Sequence, residues 1–174
     1  MTASHDWSAD VFAEIKRFGI ETVCTVPDGG LTRLLNKVGD DPDLRLVTLS
    51  TEEESMGVVT GQWLGGKRAM DAMQSSGVGN CINALGYPAI MRAPCPMLVT
   101  MRGQWGEFNP WQVQMGRSCE AVLEAIGVKC FPVDKAEEVG ETFAGAASLA
   151  FNGGFSTAVL ISQRVIGAKG FGQD

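Results

Sequence analysis

The chain has 174 residues, 45% of them hydrophobic and 20% charged, and carries a formal net charge of −6. This length and apolar content suit a single globular domain with a sizeable core. The acidic balance argues against a nucleic-acid binder, which needs a basic face, and no apolar run is long enough to span a bilayer.

The start, MTASHDWSADVFAEIKRFG, has no basic segment followed by an apolar one, so a secreted or membrane-anchored chain is not expected and a cytoplasmic one is. The five cysteines, at 24, 81, 95, 119 and 130, are odd in number and scattered, with no C-x-x-C pair. They read as thiols in a reducing compartment, several of them buried. His5 is the only histidine. Histidine-based general base catalysis and histidine-ligated metal sites are therefore not expected, and no metal ligand is assigned.

In chain order, Ser8–Ile15 opens an amphipathic helix, with Ser8 as N-cap, Val11, Ile15 and Phe18 on one face, and Gly19 just past its end. Thr22–Val26 reads as a strand, Pro27–Gly30 as a turn, and Leu31–Val38 as a helix stopped by Gly39–Asp40–Asp41–Pro42. Strands at 44–49 and 68–74 precede helices at 52–64 and 79–92. Pro94 and Pro96 flank a turn into a strand at 97–101, and an irregular stretch follows over 103–115. A helix at 118–126, a strand at 128–133, a helix at 136–151 and a strand at 157–162 complete the pattern; the Gly-rich residues 167–174 read as a loose tail.

Strands alternating with helices predict an α/β fold: a doubly wound, mostly parallel six-stranded sheet with helices on both faces. Residues 1–174 read as one domain. Ligands of such sheets bind outside the carboxyl ends of the strands, which singles out the junctions 27–30, 50–54, 74–80 and 102–117.

The junction Ser50–Thr51–Glu52–Glu53–Glu54 has a structural explanation. Ser50 with Glu53, or Thr51 with Glu54, makes a capping box, and acidic residues suit a first helical turn. Three glutamates exceed that need, and Glu52 sits where a side chain can face a ligand. Gln74–Asn80 is a Gly-rich turn that either allows unusual φ or lets backbone approach a ligand closely. It is neither a Walker loop nor G-x-G-x-x-G. Arg102–Gln112 places Trp105, Phe108 and Trp111 in one long loop. Such a loop is either functional or packed down by its own aromatics, as in a subunit interface.

Together these segments resemble the pyrimidine-binding (Pyr) domain of thiamine-diphosphate-dependent enzymes, and within that group the alpha subunits of sulfopyruvate decarboxylase and the phosphonopyruvate decarboxylases. Glu52 after a strand, followed by Gly61, is similar to the family's glutamate-led helix start. MQSSGVGNCINALG at 73–86 is similar to N-S-G-x-G-N-x-x-N-x-L, with Ser75 where Asn is usual. RGQWGEFNPWQVQMGR at 102–117 is similar to R-G…P-x-Q…M-G-R. The P-Q-H of phosphonopyruvate decarboxylases is absent, since Trp111, Gln112 and Val113 follow Pro110, which favours the sulfopyruvate branch.

The resemblance implies that Glu52 is catalytic, hydrogen-bonding N1′ of the aminopyrimidine so that its imino tautomer can take the proton from thiazolium C2. A partly desolvated carboxylate can share a proton in this way. It implies cofactor contacts at Ser76, Gly77 and Gly79, and substrate contacts at Asp28, Asn80, Arg102 and Gln112. The family's diphosphate and Mg²⁺ are held by a second domain through G-D-G…N. This sequence has only Gly39–Asp40–Asp41, so a beta partner subunit is expected to carry that motif, making a hetero-oligomer with the cofactor at the interface. The implied reaction is decarboxylation of a small anionic 2-oxoacid, 3-sulfopyruvate foremost. The competing class is a non-catalytic Pyr-like module that only assembles with, or regulates, an enzyme.

Overall fold

The structure is a computed structural model that describes residues 5–167. The expected loose tail therefore lies, from residue 168 on, outside the described residues. Six strands, β1 (Ile20–Thr25), β2 (Arg45–Thr48), β3 (Arg68–Gln74), β4 (Cys95–Thr100), β5 (Lys129–Val133) and β6 (Ser156–Ile161), form one sheet in the order β2-β1-β3-β4-β6-β5. Every pairing is parallel, where the sequence predicted mostly parallel. The helices are α1 (Trp7–Arg17), α2 (Thr32–Asp40), α3 (Glu53–Leu64), α4 (Ser75–Cys81), α5 (Gly86–Met91), α6 (Gln112–Ala125), α7 (Val139–Gly153) and α8 (Gln163–Ile166).

Strand alternation produces the layering, because successive side chains point to opposite faces of a sheet. Val23, Leu98 and Val159 face one apolar cluster, with Val11 and Ile15 of α1, Leu34 and Val38 of α2, and Phe143 of α7. Their neighbours Cys24, Met97, Val99 and Leu160 face the other, with Met56 of α3, Val78 of α4 and Leu123 of α6. Every residue of β4 is buried, as a strand covered on both faces requires. From β1 the chain moves outward to β2, then crosses back to β3 on the other side of β1. The switch point, and the crevice it opens, therefore lies between the carboxyl ends of β1 and β3.

Several local expectations are corrected. Asp6, not Ser8, occupies the N-cap position of α1, and the Ser8 hydroxyl lies inside the helix and donates to the Asp6 carboxylate at 2.6 Å. No side chain caps α3: Glu52 is already helical in φ and ψ, and it is Glu54 that reaches back, to the Ser50 N–H at 3.0 Å. The 74–80 segment is not a turn. Helix α4 starts directly at Ser75, and the helix expected over 79–92 is divided between α4 and α5. Helix α6 begins at Gln112 rather than 118, because Gln112 and Gly116 share its buried face with Cys119 and Leu123. Pro96 belongs to β4, one residue before the β3–β4 ladder begins at Met97. Four of the five cysteines are buried free thiols and Cys130 is partly buried. Gly19, at φ 62°, ends α1 as expected.

Phe143 is fully buried between α7 and the sheet. Phe143→Ala is expected to destabilise the fold by about 3–5 kcal/mol, read as a lower urea midpoint with an unchanged m-value.

Candidate active site

Glu52 is placed by two elements at once: β2 ends just before it, and α3 begins just after it. Its carboxylate lies over α4. A Cβ added at Gly77 would come within 2.5 Å of the Glu52 carboxylate, so only a glycine leaves that side chain its place. Neither Gly77 nor Gly79 has a positive φ. The glycines of this motif thus serve close approach, to Glu52 and, at Gly79, to the Met115 sulfur of α6, rather than unusual backbone angles. Asn80 is exposed and donates to Glu52 Oε2 at 2.8 Å. Glu52 Oε1 rests against Gly77 and accepts no hydrogen bond among the described residues.

A second group gathers at the switch point. Asp28 accepts from Gln74 Nε2 at 2.7 Å, from Thr100 Oγ1 at 3.0 Å and from the Gly30 N–H at 3.0 Å. Ser76 Oγ in turn donates to Gln74 Oε1 at 2.6 Å. Three strand ends, of β1, β3 and β4, are thereby tied together by polar side chains, and Ser76 and Gly77 connect them to Glu52. Asp28 also borders a cavity of about 300 Å³ with Arg33, Arg102, Trp7 and Ile166.

The long loop is held by charge, with Arg102 lying over the Phe108 ring at 5.5 Å and Arg164 over the Trp105 ring at 5.4 Å. Arg102 grips Glu107 with two hydrogen bonds, of 2.8 and 2.6 Å, and the two side chains are only 10% and 3% exposed. The Gly103 and Asn109 N–H groups and Gln163 Nε2 also donate to Glu107. Burial raises the Glu107 pKa, but the Arg102 hydrogen bonds and the two N–H donors outweigh it and leave it at about 2. Gln163, buried at the start of α8, accepts from the Gln104 and Trp105 N–H groups and donates its own N–H to Gln104 Oε1. The loop is fixed at its polar base while Trp105 and Trp111 remain 49% and 68% exposed.

Sequence reasoning grouped Glu52 with Ser76, Gly77 and Gly79 and set Asn80 on the substrate side; in the structure Gly77 lies against Glu52, Gly79 lies against Met115, and Asn80 is hydrogen-bonded to Glu52. Asp28 joins through Gln74. Arg102 lines the cavity with its guanidinium engaged by Glu107, and Gln112 is buried at the first turn of α6 with Oε1 unpartnered. The sequence reading missed Gln74, Thr100, Glu107 and Gln163. The first two were findable as polar residues at the carboxyl ends of buried strands; Gln163 and Glu107 carried no local signal.

Asp71 was also missed. It projects from the middle of β3, fully buried, with no hydrogen bond of ordinary geometry to either carboxyl oxygen, although the Ser55 hydroxyl and the Ala72 N–H lie close enough to act on it. Burial pushes its pKa up to about 8; the Ser55 hydroxyl pulls it back and the Glu52 charge adds to the rise. The carboxyl is therefore protonated at neutral pH.

An all-parallel α/β sheet, polar groups gathered at its switch point, and a glutamate leaning on a glycine-containing helix define the class. Two solved structures share the fold: a 2-oxoglutarate:ferredoxin oxidoreductase from Magnetococcus marinus (TM-score 0.72, 15% identity, 92% of this chain and 29% of that one) and a structure described as a thiamin diphosphate-dependent enzyme from Mycobacterium smegmatis (TM-score 0.67, 18% identity, 91% and 30%). No family profile matches the sequence. Among curated proteins, the chain is 32% identical over 155 residues to sulfopyruvate decarboxylase subunit alpha of Methanococcus maripaludis, covering 88% of this chain and 93% of that protein. It is 35% identical over 141 residues to the Methanothermobacter thermautotrophicus alpha subunit, covering 78% and 86%. It is 36% identical over 149 residues to phosphonopyruvate decarboxylase of Streptomyces viridochromogenes, covering 82% of this chain and 37% of that protein. The chain belongs to the family of sulfopyruvate decarboxylase alpha subunits.

The unfolded chain ionises Asp71 near pH 4 and the folded chain near pH 8, so between these values the folded state holds the extra proton. Stability from this residue is full below about pH 4 and is lost as pH rises towards 8, by up to about 1.4 kcal/mol per unit. Urea titrations over that range are expected to show a steeper alkaline loss for wild type than for Asp71→Asn.

Proposed function

We propose that the chain is the alpha subunit of a two-subunit, thiamine-diphosphate-dependent 2-oxoacid decarboxylase that converts 3-sulfopyruvate to sulfoacetaldehyde and CO₂. The bond between the carboxylate and keto carbons breaks, CO₂ leaves, and the remaining two-carbon unit takes up a proton. The observation that carries the reading is the Glu52 carboxylate set on Gly77, with one oxygen held by Asn80 and the other without a hydrogen bond among the described residues, in a chain of this family.

The residues fit the cofactor's pyrimidine end. Glu52 would share a proton with a ring nitrogen, its carboxyl donating to the nitrogen lone pair and its carboxylate accepting once the proton has moved across. Ser76, Gly77 and Gly79 would leave the ring room against α4, since larger side chains would fill that space or displace Glu52 or Met115. When bound, the cofactor supplies the nucleophilic carbon and the electron sink for decarboxylation. Asp28, Asn80, Arg102 and Gln112 are the proposed substrate-side groups. Asp28 would orient the acid through its Gln74 and Thr100 hydrogen bonds, and Arg102 would act chiefly by fixing the loop through Glu107. Phosphonopyruvate is the close alternative substrate.

A beta partner carrying G-D-G…N would hold the diphosphate and Mg²⁺, and the 174 residues would act as one Pyr domain. The two exposed tryptophans on a polar-pinned loop support a contact with that partner, since exposed large aromatics mark interfaces. The buried free thiols fit a reducing cytoplasm. Among the described residues no helix is long and apolar enough to cross a membrane.

Glu52→Gln retains size and the Asn80 partner but cannot share the proton. Sulfopyruvate decarboxylation by the reconstituted two-subunit enzyme is expected to fall by about 10²–10⁴-fold, as for loss of a positioned acid–base group. Glu53→Gln, changing an exposed glutamate one residue on, is the control and retains activity. Wild-type turnover by Glu52→Gln would reduce Glu52 to a helix-start residue and sink the catalytic assignment. Trp111→Ala is expected to weaken association of the two subunits by about 30-fold, the scale of an interface anchor, in sedimentation velocity.

A further inference from the structure

The cavity beside Asp28 contains a charge that the fold does not use. It is lined by two guanidinium groups, Arg33 and Arg102. That of Arg102 is neutralised by its two hydrogen bonds to Glu107. His5, also on the rim, is paired with Asp10. Both oxygens of Asp28 are turned into the Gln74, Thr100 and Gly30 hydrogen bonds. Of the charged side chains that line the cavity, Arg33 is the one with no hydrogen bond and no ion pair among the described residues.

Arg33 is exposed and is the second residue of α2, just after the short 3-10 turn Gly29–Leu31 that has Asp28 as its N-cap, so the helix start sets it beside Asp28. The cavity floor is kept close by Gly30: a Cβ at that position would lie 2.8 Å from Asp28 Oδ2 and 2.9 Å from Ile166 Cγ2. An unpaired, planar, permanently charged fork at the mouth of a small cavity matches an oxyanion with several acceptor oxygens, which it can hold through two parallel hydrogen bonds.

We propose that Arg33 forms the subsite for the anionic tail of the substrate, the sulfonate of 3-sulfopyruvate, with Asp28 and its Gln74–Ser76 chain joining that subsite to Glu52. This rests on the decarboxylase reading for its substrate, but not for its anion. Arg33 acts on specificity: it holds the tail, which pyruvate lacks, and takes no part in breaking the carboxylate bond.

The test has two arms. In the first, the full chain is titrated with 3-sulfopropionate, the unreactive analogue without the keto group, and with propionate, following the Gly29 and Gly30 amide resonances. A saturable shift with 3-sulfopropionate alone, lost in Arg33→Gln and partly kept in Arg33→Lys, supports the subsite. No shift in wild type, or one unchanged in Arg33→Gln, overturns it. In the second arm the reconstituted two-subunit enzyme is assayed with 3-sulfopyruvate and pyruvate. Arg33→Gln is expected to raise KM for 3-sulfopyruvate by at least about tenfold, the loss of one charge-assisted hydrogen bond, with kcat and the pyruvate reaction little changed. Equal losses on both substrates overturn the proposal. A complex that decarboxylates neither acid while the chain still binds 3-sulfopropionate through Arg33 defeats the decarboxylase reading and leaves the subsite standing.

Discussion

All six strands run the same way, so each delivers its carboxyl end to one edge of the sheet. A parallel sheet must be covered on both faces, and the helices that cover it here leave that edge open for chemistry. Every group assigned to the site follows from this constraint. Asp28 follows β1, Glu52 follows β2, Gln74 ends β3, Thr100 ends β4 and Gln163 follows β6. Residues far apart in sequence meet because their strands terminate side by side.

The edge is then stiffened by polar contacts that would be costly to leave incomplete. Glu107 accepts hydrogen bonds from Arg102, Gly103, Asn109 and Gln163, and its lowered pKa records how strongly the charged form is held. Removing one partner of such a buried pair strands the other charge, at about 3–5 kcal/mol. The loop after β4 is thus rigid at its base although it contains little regular structure. Asp71 shows the opposite solution: an acid in an apolar layer, with no cation beside it among the described residues, stays protonated. Nothing in the structure explains why an acid is kept at that position.

Glycine supplies the remaining precision. At Gly77 it admits the Glu52 carboxylate, and at Gly116 it lets α6 pass the Arg102 carbonyl, which an added Cβ would approach to 1.8 Å. Both contacts join segments well separated along the chain. The close approach of α6 to the loop brings the two ends of the R-G…M-G-R segment together, since Arg102, Gly103 and Gly116 meet at one crossing.

The strands and their spacing were legible in the sequence because apolar runs of strand length are a local property. So were the junctions 50–54 and 74–80, because the α/β pattern itself brings strand-to-helix junctions to one edge; the grouping of their residues around Glu52 came from the family resemblance. Helix starts were less legible. The capping boxes at Ser50 and Thr51 and the cap at Ser8 satisfy local rules, but packing put the first helical turns elsewhere, and α6 hid its start because a buried Gln112 and Gly116 do not read as an apolar face. Gln163, Glu107 and Arg33 lay beyond any local signal: a glutamine becomes a hub, or an arginine becomes the cation without a partner, only through what surrounds it. The sequence by itself determined the alternation and the layers, which depend on neighbours a few residues away. Only the tertiary structure decided which charges are neutralised and which are left facing the cavity, because charge balance is settled among groups that meet across the sheet edge.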